Sequence, residues 1–285
     1  MRLSATNHLR GAIRHDKPVQ AVRAALQAGA NPNAHMELLP EPAPRSRLQA
    51  LLSRLPHSQP EDPESATLLV MAIHDISVAE LLLKNGADPN LGCKFGSVST
   101  TPLCEAAAYP LEGAMESMRL LLDHGANPNL ETSEGTTPLM RAAGSGFADT
   151  VKKLLDHGAD ARLHDASGET ALHYIAMGDY EFNKWQDEKR RTHRVSIGPI
   201  VRLLLQHGAE VDAQDHEGKT TLTLAAACET TDLVKLLLRH HANPNHYDRS
   251  GYPPLSYAPD GEITTLLRKA GGKWPDEPAV GKIAK

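Results

Sequence analysis

The residues of this chain that could do chemistry are its histidines, cysteines and carboxylates, and none of them has catalytic spacing. His216-Glu217 lacks a second histidine four residues on, and neither a serine-nucleophile elbow nor a phosphate-binding loop occurs. Cys93, Cys104 and Cys228 form no C-x-x-C pair, whereas a metal site needs clustered ligands. We therefore predict no enzyme activity, no cofactor and no metal, and interpret Cys104 and Cys228 as small buried thiols.

The stretch with the most binding chemistry is residues 179–196, where aromatic residues precede a basic run. Its candidate contact residues are Tyr180, Phe182, Trp185, Arg190 and Arg191. Because desolvated aromatic and arginine side chains dominate binding energy, an acidic protein surface is one partner for this stretch. Base stacking with phosphate pairing makes nucleotide or oligonucleotide binding the second hypothesis, which the interleaved acidic residues disfavour. A third interpretation is that residues 179–196 form a loop that only packs on the rest of the fold.

Composition and charge narrow the class of partner. The formal net charge of −5 argues against a general nucleic-acid binder. The N-terminus lacks the apolar core of a signal peptide, and no run of residues is long enough to span a bilayer. We therefore expect a cytoplasmic protein that does not enter membranes, with secretion as an effector left open.

A repeated string organises the chain. Its copies are Leu81–Asn90, Leu120–Asn129, Leu154–Ala161, Leu203–Asp212 and Leu236–Asn245. Gly125 and Gly158 lie 33 residues apart, as do Gly208 and His241. Each unit predicts a short first helix, a leucine-rich second helix and a left-handed residue that ends it. Because His241 fills the glycine position, we predict a left-handed backbone there at a cost of roughly 1–2 kcal/mol.

The first helices begin with a second recurring motif. Its copies are Thr101-Pro102-Leu103-Cys104-Glu105-Ala106, Thr137-Pro138-Leu139-Met140-Arg141-Ala142 and Thr170-Ala171-Leu172-His173-Tyr174-Ile175. Together with the period, these residues resemble the ankyrin repeat family over nearly the whole chain. The resemblance implies an all-α solenoid of roughly seven stacked helix-turn-helix pairs with β-hairpin-like tips. It also implies that His173 belongs to a structural hydrogen-bond network.

Two insertions interrupt the predicted repeat array, which covers residues 1–272 and precedes a tail over 273–285. The first insertion, residues 34–64, is proline-rich and carries leucines at helical spacing within Ser46–Leu55. We interpret it as a loop whose short helix lies on the array, and a partner-docking helix is the alternative. The second insertion is the 179–196 loop, whose length is typical of functional loops.

By resemblance to the family, partner contacts lie on a concave side formed by hairpin tips and first-helix faces. The predicted contact residues outside 179–196 are Lys94, Phe95, Glu131, Glu134, Arg141, His164, His216, Tyr247, Arg249 and Tyr252. Glu105 is predicted to face the same groove as Arg141. Among these residues the aromatics and arginines rank first as energetic anchors.

We therefore predict a monomeric, non-enzymatic scaffold that binds another protein through its concave face, its tips and the 179–196 insertion. One open form is an inhibitor or immunity-type protein that covers the active site of an enzyme, and another is an effector that captures a host protein. In either form a rigid, preformed surface limits the entropy lost on binding.

Overall fold

The computed structural model describes residues 18–38, 64–95, 98–108, 114–183 and 197–275. Its contacts group into two units, Met1–Pro138 and Leu139–Lys285. The short helix predicted within Ser46–Leu55 lies outside the described residues.

The first unit combines helices with a small sheet. Its elements in chain order are α1 (Pro18–Gln27), β1 (His35–Leu38), β2 (Glu64–Thr67), α2 (Leu68–Ala72), α3 (Ile76–Lys84), β3 (Cys93–Phe95), β4 (Val98–Thr100), α4 (Pro102–Ala108) and α5 (Ala114–Asp123). The strands form one antiparallel sheet in the order β1-β2-β3-β4.

The second unit is helical apart from its turns. Its elements are α6 (Pro138–Gly144, beginning at the boundary), α7 (Ala148–Asp156), α8 (Ala171–Asn183), α9 (Ile197–Gln206), α10 (Thr221–Ala227), α11 (Thr231–Arg239), a 3₁₀ helix (Pro254–Tyr257) and α12 (Glu262–Lys269). Leu154, Leu204 and Leu237, at matching positions of successive second helices, are fully buried. Each contributes about 1.5–3 kcal/mol by leaving water.

The ends of the helices follow from local sequence. Thr67 Oγ1 accepts the N–H of Val70 ahead of α2, which satisfies a backbone donor that the helix cannot pair itself. At the end of α7, Gly158 has a φ of 86°, a conformation that glycine adopts without a Cβ clash. His241 has a φ of 65° at the matching position after α11, so its predicted left-handed backbone is confirmed.

The first insertion differs from the predicted loop at both ends. β1 and β2 pair in a register that runs from His35 opposite Thr67 to Leu38 opposite Glu64. Ser65 of β2 in turn pairs with Lys94 of β3. The pairing joins segments separated by residues 39–63, and local residue patterns do not reveal pairing over such a distance.

The second insertion also differs from the predicted loop, because its first residues are helical. Helix α8 continues through Asn183, whereas the sequence analysis places a loop from residue 179. The aromatic residues at 180 and 182 do not interrupt a helix, because aromatic residues have only moderately weaker helix propensity than alanine. Helix α9 begins at Ile197, one residue beyond the predicted end of the insertion.

Candidate partner-binding surface

Three turns of the same construction form the hairpin tips of the second unit. We name them the Asp165 turn (residues 165–169), the Asp215 turn (215–219) and the Asp248 turn (248–252). In each, one aspartate oxygen accepts the backbone N–H groups two and four residues on, at 2.8–2.9 Å. Because hydrogen bonds to a carboxylate are stronger than those between neutral groups, the aspartate holds the turn in one conformation.

Two of the three turns are also supported by a tyrosine nine residues after the aspartate. Tyr174 Oη donates to Asp165 Oδ2 at 2.8 Å, and Tyr257 Oη donates a short hydrogen bond to Asp248 Oδ2. The bond to Asp248 is the main cause that raises the pKa of Tyr257 to about 12. Leu224 occupies the matching position of the remaining turn and cannot donate.

Backbone hydrogen bonds join consecutive turns. The N–H of His216 donates to the carbonyl of Ser167 at 2.8 Å, and the N–H of Arg249 donates to the carbonyl of Glu217 at 2.9 Å. A Cβ on Gly218 would lie 2.9 Å from the Arg249 nitrogen, so glycine permits this approach. The second unit therefore presents its tips as one hydrogen-bonded row.

The first unit builds a related turn with a neutral side chain. Thr132 Oγ1 accepts the N–H groups of Glu134 at 3.3 Å and of Thr136 at 3.1 Å. The N–H of Ser133 donates to the carbonyl of Ser99 at 3.3 Å, which ties this turn to strand β4. These distances exceed those in the aspartate turns, as a hydroxyl acceptor without charge would give.

Eight of the predicted contact residues have exposed side chains. They are Lys94, Glu131, Glu134, His164, His216, Tyr247, Arg249 and Tyr252. Tyr247 is 46% exposed and Tyr252 is 49% exposed, which makes them the exposed large apolar side chains among the described residues. In the second unit, all of the exposed members lie on the three turns or one residue before them.

Glu105 and Arg141, the two first-helix residues predicted to face the groove, differ in burial. Glu105 is buried and accepts a hydrogen bond from Thr100 Oγ1 at 2.7 Å, so the prediction that it faces the groove is wrong. A hydroxyl donor on the preceding strand compensates part of the cost of burying this side chain. Arg141 is half-buried, and its Nε has no hydrogen-bond partner among the described residues.

The remaining predicted residues are described in part or not at all. The backbone of Phe95 lies in β3, and the backbones of Tyr180 and Phe182 lie in α8. Their side chains lie outside the described part of the structure, as do all atoms of Trp185, Arg190 and Arg191. Their partner-binding role stays a prediction.

The sequence analysis missed a surface groove at the last turn, which we name the C-terminal aromatic groove. It is lined by Tyr252, Ser256, Tyr257, Trp274 and Pro275. The Tyr252 and Tyr257 rings meet edge to face, with centroids 6.4 Å apart. The aromatics at 252, 257 and 274 were the signal, because they flank the last helix in a chain with only 4% aromatic residues.

Comparison with known proteins agrees with this geometry. Residues 103–185 and 194–272, more than half of the chain, match the family model described as Ankyrin repeats (3 copies). The chain belongs to the ankyrin repeat family. The predicted family and the all-α ankyrin fold class are thereby confirmed.

One curated relative shares part of the ankyrin sequence. The E3 ubiquitin-protein ligase HACE1 of Danio rerio is 43% identical over 84 residues, which are 28% of this chain. The chain spans 9% of the length of that protein. Within the described residues, no helix is both long and apolar enough to cross a membrane.

His173 has the structural role that the ankyrin motif implies. Its side chain is fully buried, Nδ1 accepts the N–H of Thr170 at 3.0 Å, and Nε2 lies 3.3 Å from the carbonyl of Lys219. These contacts assign the ring proton to Nε2. Burial lowers the pKa of His173, so the ring is neutral and joins the first-helix start to the next ankyrin turn.

The charges around the ankyrin turns have opposite effects on two carboxyl groups. Burial raises the pKa of Glu169 to about 7, helped by the nearby carboxylates of Asp165, Asp215 and Glu217. Burial also favours a higher pKa for Asp248, but hydrogen bonds, first among them that from Tyr257, hold it below its ordinary value. The Asp248 turn is thus stabilised in its ionised form.

The cysteines show no reactive environment. Burial raises the pKa of Cys93 to about 12, and Cys104 is fully buried in α4. Cys228 is only partly buried at the end of α10, so its predicted burial is wrong in degree. Among the described residues, no group of three or more His, Cys, Asp or Glu side chains could hold a metal ion.

Proposed function

We propose that this ankyrin protein binds a partner protein through the row of turns in its second unit. Ankyrin repeats are in general protein–protein interaction modules without enzyme activity. The observation that carries the proposal is a preorganised row: aspartate acceptors fix each turn, and N–H···O=C bonds of 2.8 and 2.9 Å join consecutive turns. Binding to such a surface costs little backbone entropy.

The exposed side chains on this row suit a protein partner. Tyr247, Tyr252 and Arg249 are large, exposed and attached to a fixed backbone, and such residues make energetic anchors when a partner removes their water. His164 and His216 add polar contacts on the neighbouring turns. The first unit has candidate contacts of its own, with exposed Lys94 in β3 and exposed Glu131 and Glu134 at the turn of Thr132.

An inhibitor or immunity-type protein is the form of this function that rigidity favours. A fixed row of turns can cover the active site of an enzyme without rearranging, which slows dissociation. No contact or charge cluster among the described residues supports nucleotide binding, and the basic stretch on which that hypothesis rests lies outside them. We therefore keep protein binding as the proposal.

A capture experiment tests the role of the turns. The tagged protein is used to retrieve partners from extract, alone and as the triple variant Tyr247→Ala, His216→Ala, His164→Ala. We expect the variant to lose the retrieved protein, since the three changes remove exposed side chains and leave the aspartate acceptors intact. Each retrieved protein is identified and its affinity for both forms is measured with purified components.

A matched control changes exposed arginines on second helices, away from the turns. Arg202 lies in α9 and Arg239 in α11, and both side chains are exposed. The double variant Arg202→Ala, Arg239→Ala should retain full affinity. If this control lost binding while the turn variant kept it, the partner would bind the helical face and the proposal would be wrong.

A further inference from the structure

The C-terminal aromatic groove has walls that fit proline rings. Tyr252, which is 49% exposed, lines the groove together with Tyr257, Trp274 and Pro275, and these rings form its apolar walls. Proline-rich segments in extended conformation bind such aromatic grooves, because their preformed helix loses little entropy and their rings pack on flat aromatic faces. The Tyr252 and Tyr257 rings stand nearly perpendicular, at 83°, so the two walls present differently oriented aromatic faces.

A hydrogen-bonding group is also present at the groove. Ser256 lines it, and the buried Ser256 Oγ has no hydrogen-bond partner among the described residues. Buried hydroxyl groups in folded proteins are normally paired.

Positive charge borders the same aromatic walls. The Arg268 guanidinium lies 5.9 Å from the centre of the Trp274 ring, and Lys219 Nζ lies 5.5 Å from the centre of the Tyr257 ring. Exposed Arg249 is on the same turn as Tyr252. Of the nearby carboxylates, exposed Glu217 pairs with Lys219 at 2.5 Å and neutralises its charge, and Asp248 is buried and accepts from Tyr257. The positive charge beside the aromatic walls therefore comes from Arg249 and Arg268. The border of the groove therefore complements a negatively charged ligand.

We propose that the C-terminal aromatic groove binds an extended, acidic, proline-containing segment of a partner protein. Prolines pack on Tyr252, Tyr257 and Trp274, and the acidic side chains face Arg249 and Arg268. This inference rests on the proposed protein-binding function and adds the chemistry of the bound segment. The groove lies beside the exposed row of turns, so one partner can contact both.

The test uses a short synthetic peptide in which proline and glutamate alternate. The chain has 2 tryptophans, so Trp185→Phe leaves Trp274 as the fluorescent reporter in the groove. We expect a saturable change in Trp274 fluorescence with this peptide. A peptide with alanine in place of proline should bind about tenfold more weakly, and one with lysine in place of glutamate should not bind. Equal binding of all three peptides would overturn the proposal.

Variants of the full chain, measured by calorimetry, locate the site. Trp274→Ala and Arg268→Glu should each weaken peptide binding about tenfold or more. Their matched controls are Lys269→Glu, an exposed cation next to Arg268, and Arg239→Ala, an exposed arginine of α11; both should bind as the parent does. Circular dichroism melting checks that each variant folds. If the controls weakened binding as much as the groove variants, the site would be elsewhere.

The outcomes separate this inference from the proposed function. If the peptide does not bind but the turn variants still abolish partner capture, the groove inference fails and the proposed function stands. If the peptide binds the groove but no partner is lost with the turn variants, the proposed role of the turns fails. If the protein self-associated and the peptide reversed this, the groove would bind a second copy of this chain. That result would also overturn the proposal of a partner segment.

Discussion

The Asp215 turn and the Asp248 turn have the same backbone hydrogen bonds, yet different surroundings. Asp215 lies near the acidic Glu169 and Glu217, and Leu224 takes the position of the supporting tyrosine. The Asp248 turn has Tyr257 as donor, and Lys219 of the Asp215 turn is a cation near both aspartates. The Asp215 turn bonds through backbone to turns on both sides, whereas the Asp248 turn is the last of the row.

This difference indicates that two mechanisms hold the turns in one conformation. Neighbouring turns hold the Asp215 turn, so its side-chain support can be incomplete. The Asp248 turn has a neighbour on one side among the described residues, and a tyrosine hydroxyl compensates for the missing contact. The exposed Tyr247 and Tyr252 belong to this terminal turn, so the proposed binding surface depends on the Tyr257–Asp248 bond.

The largest expected effect tests the contact between the turns. Gly218→Ala should lower the free energy of unfolding by about 2–4 kcal/mol, because its Cβ would press on the Arg249 nitrogen at 2.9 Å and its φ is 78°. Urea unfolding of the purified protein measures the change.

The matched control is the equivalent glycine of the terminal turn. Gly251 has a φ of 83°, but a Cβ there would meet nothing within 4 Å. Gly251→Ala should therefore cost about 1–2 kcal/mol, from backbone strain alone. Equal losses in the two variants would mean that close approach between turns contributes nothing to stability.

The second prediction compares the two aspartates. Asp248→Ala should cost about 2–3 kcal/mol, because it leaves two backbone N–H groups and the Tyr257 hydroxyl without their acceptor. Asp215→Ala removes two backbone bonds and should cost about 1–2 kcal/mol. Thermal unfolding of both variants provides the comparison. A larger loss at Asp215 would contradict the idea that the terminal turn depends more on its side chains.

The repeat pattern predicted much of the helical fold, because local sequence determines the elements that it concerns. Thr-Pro starts, leucine spacing and the glycine position indicate α6, α7 and their equivalents, and the left-handed His241 follows from its place in the period. The pairing of β1 with β2 was not predictable, since it joins residues on either side of 39–63. The continuation of α8 to Asn183 was missed because aromatic residues suggested a loop.

The binding surface was predictable only in part. The turn positions followed from the family motif, which placed His216, Arg249 and Tyr252 on exposed tips. The tyrosine hydrogen bonds that support two of the turns were not predictable. Tyr174 and Tyr257 contact aspartates nine residues earlier, after a change of direction of the chain. The groove around Trp274 was not predictable either, because it depends on how the segment after the last helix folds back on that helix.

A third, smaller effect tests the acidic character around the Asp215 turn. The folded-state pKa of Glu169 is raised to about 7, so the folded protein holds a proton that the unfolded chain releases near its ordinary pKa. Stability is therefore lost as pH rises toward 7. Since Glu169 is half exposed, solvent screening reduces the cost to about 1 kcal/mol. Glu169→Gln should raise the melting temperature at pH 8 and leave it unchanged near pH 4. A gain that did not depend on pH would exclude this cause.

The smallest expected effect comes from giving the Asp215 turn the tyrosine hydrogen bond that supports the Asp248 turn. Leu224→Tyr places a hydroxyl nine residues after Asp215, as Tyr174 and Tyr257 stand to their own aspartates. Because Asp215 already binds two backbone donors, a third hydrogen bond should add about 0.5–1 kcal/mol. Leu224→Phe is the control for ring burial, and the stability difference between Tyr and Phe isolates the hydroxyl. That stability difference should vanish when Asp215→Ala is also present. If it persisted, the hydroxyl would bind elsewhere, and the Asp215 turn could not form the tyrosine–aspartate hydrogen bond of the Asp248 turn.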